Sequence, residues 1–269
     1  MILRHTREPE NGLSSDNCFE AVEDRSGNVI CRCAIYTQEN EQLFPTRPLR
    51  VYIDIDGRPA PDALLGAAVA RAKEVARDAA MPARVFAQVD PTDTELLNSL
   101  DALGLKDSDG LVLMRRALPG KQRASAAVPT GCVVVHDDLD DLIEQKYFLE
   151  RYNRLYGESY DFDYLQTLSE HDLFKRILLV APTGMAGEAI VWREGRDGRL
   201  FWIFTARKWR NMGVAKCLID LACDYFYENG LYSASVEIQA RVPNLLRVME
   251  HADFRQDSLI CRYPGVDVG

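Results

Sequence analysis

No stretch of this sequence approaches the roughly 18 consecutive apolar residues that a membrane-spanning helix needs, so no span and no membrane partner are expected. The opening Met-Ile-Leu-Arg-His-Thr-Arg-Glu carries no apolar secretory core either. Cysteine spacing is equally uninformative of a framework: there are seven cysteines, an odd number, and no pair of the CxxC type. Cys31 and Cys33 share a strand face, but no second pair completes a zinc site. The seven therefore read as reduced thiols of a cytoplasmic protein, with no metal. His136 precedes Asp137 and Asp138, which read more simply as helix-capping acids than as metal ligands. Also missing are a P-loop, a GxGxxG fingerprint and a Ser-His-Asp arrangement, which removes the corresponding nucleotide and hydrolase chemistries. Positive charge is in short supply, with 32 Lys and Arg against 41 Asp and Glu and a net charge of -9. Such a balance repels nucleic acid and anionic membrane and weakly favours a cationic partner such as an amine.

What is present is a chain of 269 residues, 47% hydrophobic, enough for two domains of ordinary size. Residues 119–130 place small residues between prolines and form the best linker, dividing residues 1–118 from 131–269. In the second half, a strand at 132–135 precedes a helix at 137–156, with Asp137 or Asp138 as N-cap, and a short helix at 161–171. Strands follow at 176–181, 186–192 and 200–205, the last apolar on both faces and so central. An amphipathic helix at 213–229, a strand at 233–238, a short helix at 243–252 and a strand at 258–263 complete it. The first half gives a shortened version of the same order: strands at 18–22, 29–36 and 49–55, a helix at 64–80, a strand at 83–89, a helix at 94–103 and a strand at 110–115. Each half should fold as α/β with a mixed sheet, the pair forming a tandem pseudo-repeat.

The chemistry concentrates where the central strand meets the long helix. Arg210-Asn211-Met212-Gly213-Val214-Ala215 follows Phe204 and Thr205 and opens the helix. A helix N-terminus has unpartnered N–H groups and partial positive charge, both of which stabilise a pyrophosphate. Gly213 lets the phosphates approach the backbone, Ala215 is small, and Lys216 adds positive charge. This stretch resembles the [RQ]-x-x-G-x-[GA] motif of the GNAT superfamily of N-acetyltransferases. Further on, the run from Asn244 to Phe254 resembles that family's later helix, with Asp253 where Gly is usual and Met249 where a Tyr commonly stands.

The resemblance implies two GNAT-like modules, packed as a pseudo-dimer within a monomer or as a homodimer, with acetyl-CoA as cosubstrate. It implies that the second half transfers acetyl to an amine of a small molecule or peptide. The thioester would meet the backbone at Phe204 and Thr205, and the phosphates residues 210–216, with Asn244 nearby. It makes Glu237, on the neighbouring strand, a candidate base. The usual acid is missing at Met249, and His251 and Tyr263 are candidate replacements; Cys261 is a weaker one. Glu188 and the acidic run Asp161, Asp163, Glu170 and Asp172 could line an acceptor pocket. The first half lacks the motif, and Pro59 and Pro61 remove donors where a phosphate would need them, so it should not bind CoA. Met249 leaves open an alternative, a non-catalytic acyl-CoA-binding or regulatory protein.

Overall fold

The structure, a computed structural model, describes residues 1–6, 12–118, 127–156 and 159–269, the side chain of Pro243 apart. All but the last four residues of the expected linker at 119–130 lie outside the described residues.

The first half of the chain gives β1 (Ile2–His5), β2 (Cys18–Val22), β3 (Val29–Glu39), β4 (Leu49–Asp56), α1 (Asp62–Asp78), β5 (Ala83–Ala87), α2 (Thr94–Ala102) and β6 (Gly110–Ala117). The second gives β7 (Val133–Asp137), α3 (Leu142–Tyr156), α4 (Phe162–Ser169), β8 (Lys175–Ala181), β9 (Gly184–Glu194) and β10 (Asp197–Thr205). It continues through α5 (Val214–Glu228), β11 (Ser233–Gln239), α6 (Pro243–His251), β12 (Arg255–Arg262) and β13 (Gly265–Val268). The strands form two mixed sheets, ordered β1-β2-β3-β4-β5-β13 and β12-β6-β11-β10-β9-β8-β7. In each, four consecutive strands run antiparallel, β1 to β4 and β7 to β10, and the pair joined through a long helix, β4 with β5 and β10 with β11, runs parallel. A strand-helix-strand crossover returns to the sheet in that direction.

Two compact units result. One comprises Met1–Leu111, Leu155–Gly157 and Leu259–Gly269; the other comprises Val112–Arg154 and Glu158–Ser258. These do not follow a division at 118/131. β6, expected to finish the first module, lies between β11 and β12 of the second sheet, and β13 closes the first sheet against β5. Apolar periodicity marks a strand without saying which sheet it joins, and β1 and β13, at four residues each, are too short to show it at all.

Each core follows from helix periodicity. The alanine-rich α1 buries Leu64, Leu65, Ala68, Val69, Ala72 and Ala76 against the first sheet. α5 buries Val214, Leu218, Ala222 and Phe226, and the Phe226 ring lies so close to β10 that a Cβ on Gly198 would stand 2.2 Å from it. One helix starts later than its sequence suggests. Asp137 ends β7, with Oδ1 accepting from the Leu139 N–H, and Leu139 takes φ 57°. Asp141 accepts from the N–H groups of Ile143 and Glu144, so it, rather than Asp137 or Asp138, caps α3.

Candidate active site

The second sheet opens beside its own central strand. β10 and β11 pair only at Gly198–Ala234 and Arg199–Ser235. Immediately beyond, β10 carries a bulge: Leu200 faces Val191 and Trp202 faces Ile190, with Phe201 the extra residue. A bulge bends its strand and increases local twist, so the ladder to a parallel neighbour fails there. β10 then runs on to Thr205 beside β9 while β11 runs on to Gln239, with a gap in their ladder. Phe204 and Thr205, half-buried, stand at the far end of β10.

The chain next makes a single 3-10 turn, Arg207–Trp209, tied down by Lys208 Nζ, which donates to the Thr183 carbonyl at 3.0 Å and to its hydroxyl at 2.9 Å. Two residues of the following turn take left-handed backbone, Asn211 at φ 63° and Gly213 at φ 81°. Asn tolerates this region and Gly enters it freely. The turn delivers α5 with Gly213 as N-cap, no side-chain cap and no acidic residue in the first turn. Among the described residues, its chain neighbours and the helix's own backbone apart, no heavy atom lies within 4 Å of where a Gly213 Cβ would be. Arg210, Asn211, Met212 and Gly213 are exposed, and Val214 is buried and anchors the helix. Ala215 is half-buried, and exposed Lys216 bonds Asp220 at 2.6 Å. Cys217 is buried, and that burial, with Asp220 adding to it, pushes its thiol up to about 11. It stays protonated at neutral pH and is no nucleophile.

The first unit is built differently at the equivalent place. Its β4–β5 ladder runs unbroken from Leu49–Ala83 to Ile53–Ala87. The helix that follows β4 has Pro61 as N-cap and a carboxylate, Asp62, in its first turn. A negative charge there already answers the helix dipole and would repel a phosphate.

The catalytic candidates fall on different elements. Glu237 stands on β11 beyond the last paired residue, with Arg199 Nη2 at 2.7 Å from its carboxylate. His251, exposed at the end of α6, donates from Nδ1 to the Arg247 carbonyl of its own helix at 2.6 Å. Met249 is 1% exposed and part of the core. Tyr263 belongs to the other compact unit, in edge contact with Phe86 at 5.7 Å. Burial, reinforced by Cys261, holds its phenol well above the ordinary range. Asn244 is exposed in the first turn of α6. Among the described residues no group of His, Cys, Asp and Glu could hold a metal ion.

Two features read differently from their sequence expectation. Glu188 does not line an open pocket; it is fully buried, with Arg151 donating to both of its oxygens at 2.8 and 2.9 Å. Arg176 Nε at 3.0 Å and Trp202 Nε1 at 3.4 Å complete its shell, and Arg176 also reaches Glu144. The signal was available: Arg151 falls three residues after Phe148 on the apolar face of α3, where a charge needs a buried partner. In the acidic run, Asp161 caps α4 by accepting from the Tyr164 N–H, and Asp172 pairs with Arg193 at 2.6 Å. Tyr152 packs against Phe148, Phe201 and Trp202, while Tyr160 stacks on Tyr164 at 3.8 Å and remains partly exposed.

No family model matches the sequence, and neither does any curated protein. Solved structures do. A GCN5-related N-acetyltransferase from Sphaerobacter thermophilus is similar over 96% of this chain and 82% of its own, with 14% identity and a TM-score of 0.53. A tandem GNAT protein from the clavulanic acid biosynthesis pathway is similar over 94% and 82%, at 12% identity and a TM-score of 0.47. A GNAT-family acetyltransferase from Colwellia psychrerythraea is similar over 94% and 85%, at 10% and 0.47. At these identities the likeness is one of fold. The chain has the fold of the GCN5-related N-acetyltransferases along nearly its whole length.

Proposed function

We propose that the second unit is an acetyl-CoA-dependent N-acetyltransferase acting on an amine, and that the first unit does not bind the cosubstrate. One observation carries this reading: the β10–β11 ladder breaks at a bulge, and the same strand leads into a helix N-terminus that has no side-chain cap, and a Gly213 with room for a Cβ, among the described residues. The first-turn N–H groups of α5, with Lys216, would hold the pyrophosphate, and the gap beyond Arg199 and Ser235 would admit the pantetheine arm. Arg210, Asn211 and Met212 shape the turn, Val214 fixes the helix in the core, and small Ala215 keeps its first turn open. Acetyl-CoA supplies an activated acetyl thioester. Backbone N–H groups at Phe204 and Thr205 would stabilise charge developing on its carbonyl oxygen, where preorganised donors matter most. Asn244 would meet the cosubstrate from α6. Glu237, on the strand across the gap, is the group to accept the amine proton. The protein would act in the cytoplasm on a small-molecule or peptide amine, as a monomer with an internal pseudo-dimer or as a homodimer.

A second reading has a specific observation in its favour. Met249 is sealed in the core, and His251 faces solvent and bonds its own helix, so neither is placed as an acid for the departing thiolate. A non-catalytic acyl-CoA-binding protein would look the same at the phosphate turn. The two separate by measuring free CoA thiol against a panel of primary amines. Amine-dependent release at steady state supports the transferase. Binding of acetyl-CoA with no release across the panel supports the second reading.

A further inference from the structure

Two cross-strand neighbours in the second sheet hold buried donors that nothing answers. Arg199 of β10 stands directly opposite Trp192 of β9. Gly187 and Gly198 face α5, since a Cβ on either would meet Val214 or Phe226 of that helix. Alternation along each strand therefore turns Trp192 and Arg199 to the other face. Trp192 is 4% exposed and Arg199 7%. Trp192 Nε1 and Arg199 Nε and Nη1 are buried and make no hydrogen bond among the described residues. A buried N–H left in that state is costly and calls for an explanation. Indole and guanidinium only donate, so what they lack is an oxygen with lone pairs.

The charges say what kind of oxygen. Arg199 Nη2 donates to Glu237 at 2.7 Å, and Nη1 stands 3.7 Å from Glu194, beyond hydrogen-bond reach. One cation between two carboxylates leaves this corner with a net negative charge, which attracts an ammonium group and repels a free carboxylate. A neutral carbonyl oxygen satisfies the donors without adding charge. The β10–β11 ladder ends at Arg199–Ser235, so the gap opens directly past this guanidinium, with Glu237 on the strand across it. The surroundings are aromatic: the Trp192 ring lies 4.7 Å from Phe201 and stacks on His171 at 4.7 Å.

We propose that Arg199 and Trp192 determine which amine is acetylated. They receive the carbonyl oxygen of an α-aminoacyl amide, the group carried by an amino-acid amide or a peptide N-terminus, while Glu237 meets its amine. In such an acceptor the amine and the carbonyl sit on adjacent carbons; in the protein Glu237 and the unanswered N–H groups flank a single guanidinium. This rests on the acetyl-transfer reading above and names its acceptor class. In the transfer the amine nitrogen bonds the acetyl carbonyl carbon, the carbon–sulfur bond breaks, the amine proton passes to Glu237 and the sulfur leaves as CoA thiolate.

The test is steady-state CoA release from acetyl-CoA by the full chain with L-phenylalaninamide, L-phenylalanine and phenethylamine, which share one side chain and differ at the oxygen. Rates are compared per free-base amine. Phenylalaninamide should exceed phenethylamine in kcat/KM by about a hundredfold, a modest share of what a site built to bond a missing group can reach. It should also exceed phenylalanine. Trp192→Phe removes one donor, and Arg199→Lys removes the others while keeping a cation beside Glu237. Each should lower the preference for the amide over phenethylamine to about tenfold or less. A merely structural role would slow both acceptors alike, leave the preference unchanged and overturn the assignment. L-Phenylalanylglycinamide carries the same oxygen on a peptide bond: a kcat/KM above that of phenylalaninamide makes a peptide N-terminus the source, and one below it a small amide. Equal use of phenylalaninamide and phenethylamine, or a preference for phenylalanine, would overturn the assignment and leave acetyl transfer in place. No release with any acceptor would overturn both.

Discussion

Glu188 shows how far a single carboxylate can organise this molecule. It is fully buried and holds Arg151 of α3, Arg176 of β8 and the indole of Trp202 on β10 at once. Removing it takes the carboxylate from Arg151 and leaves buried Arg176 with the more exposed Glu144 and Asp137 alone. Glu188→Ala should destabilise the chain by about 3–5 kcal/mol, the range for breaking a buried pair from one side. Urea denaturation checks this; a loss below about 1 kcal/mol would mean that the arginines find other partners. Glu237 is the contrasting case, 36% exposed at its side chain and held by one guanidinium. Glu237→Gln keeps the shape and removes the charge. It should lower kcat for amine acetylation at least tenfold with little change in acetyl-CoA affinity. Unchanged kcat across the pH range would remove Glu237 as the base and leave it as the partner of Arg199.

At the scale of elements, much of the fold was written in periodicity. The apolar stripe of α5 and the dense run of β10 place the long helix and central strand within two or three residues of their observed ends. The sharp turn into α5 was legible too, from residue type: Gly213 stands where φ is 81°, and Asn211 tolerates φ 63°. The bulge at Phe201 was not legible. It depends on how Leu200 and Trp202 register against β9, and the sequence of one strand does not contain that. The start of α3 was misplaced for a local reason, since four aspartates, Asp137, Asp138, Asp140 and Asp141, precede it and backbone geometry selected Asp141. The unit to which Tyr263 belongs was hidden for a tertiary reason. Tyr263 lies two residues before β13, and β13 pairs with β5 rather than with its own module's strands.

For the whole molecule, the exchange of strands matters more than the division at the linker. The second sheet takes β6 from the first half of the chain, between β11 and β12. A fragment of residues 131–269 would therefore leave the β11 and β12 edges unpaired and expose backbone donors and acceptors that another chain can bind. Expressed alone, it should aggregate or lack a cooperative unfolding transition, whereas a fragment that begins before β6, at residue 105, should recover one. A cooperative, monomeric 131–269 fragment would show that β6 is dispensable. Among the described residues no helix is long and apolar enough to cross a membrane.

The measurement that bears most directly on the account is a thermal-shift titration with acetyl-CoA on wild type and on Gly213→Glu. A ligand that binds only the folded state, at about 100 times its Kd, adds about 2.7 kcal/mol, enough to raise Tm by several degrees. The account predicts a dose-dependent rise in wild type and none in Gly213→Glu, where a carboxylate fills the open space at the helix N-terminus. An equal rise in both proteins, or none in wild type, would contradict it.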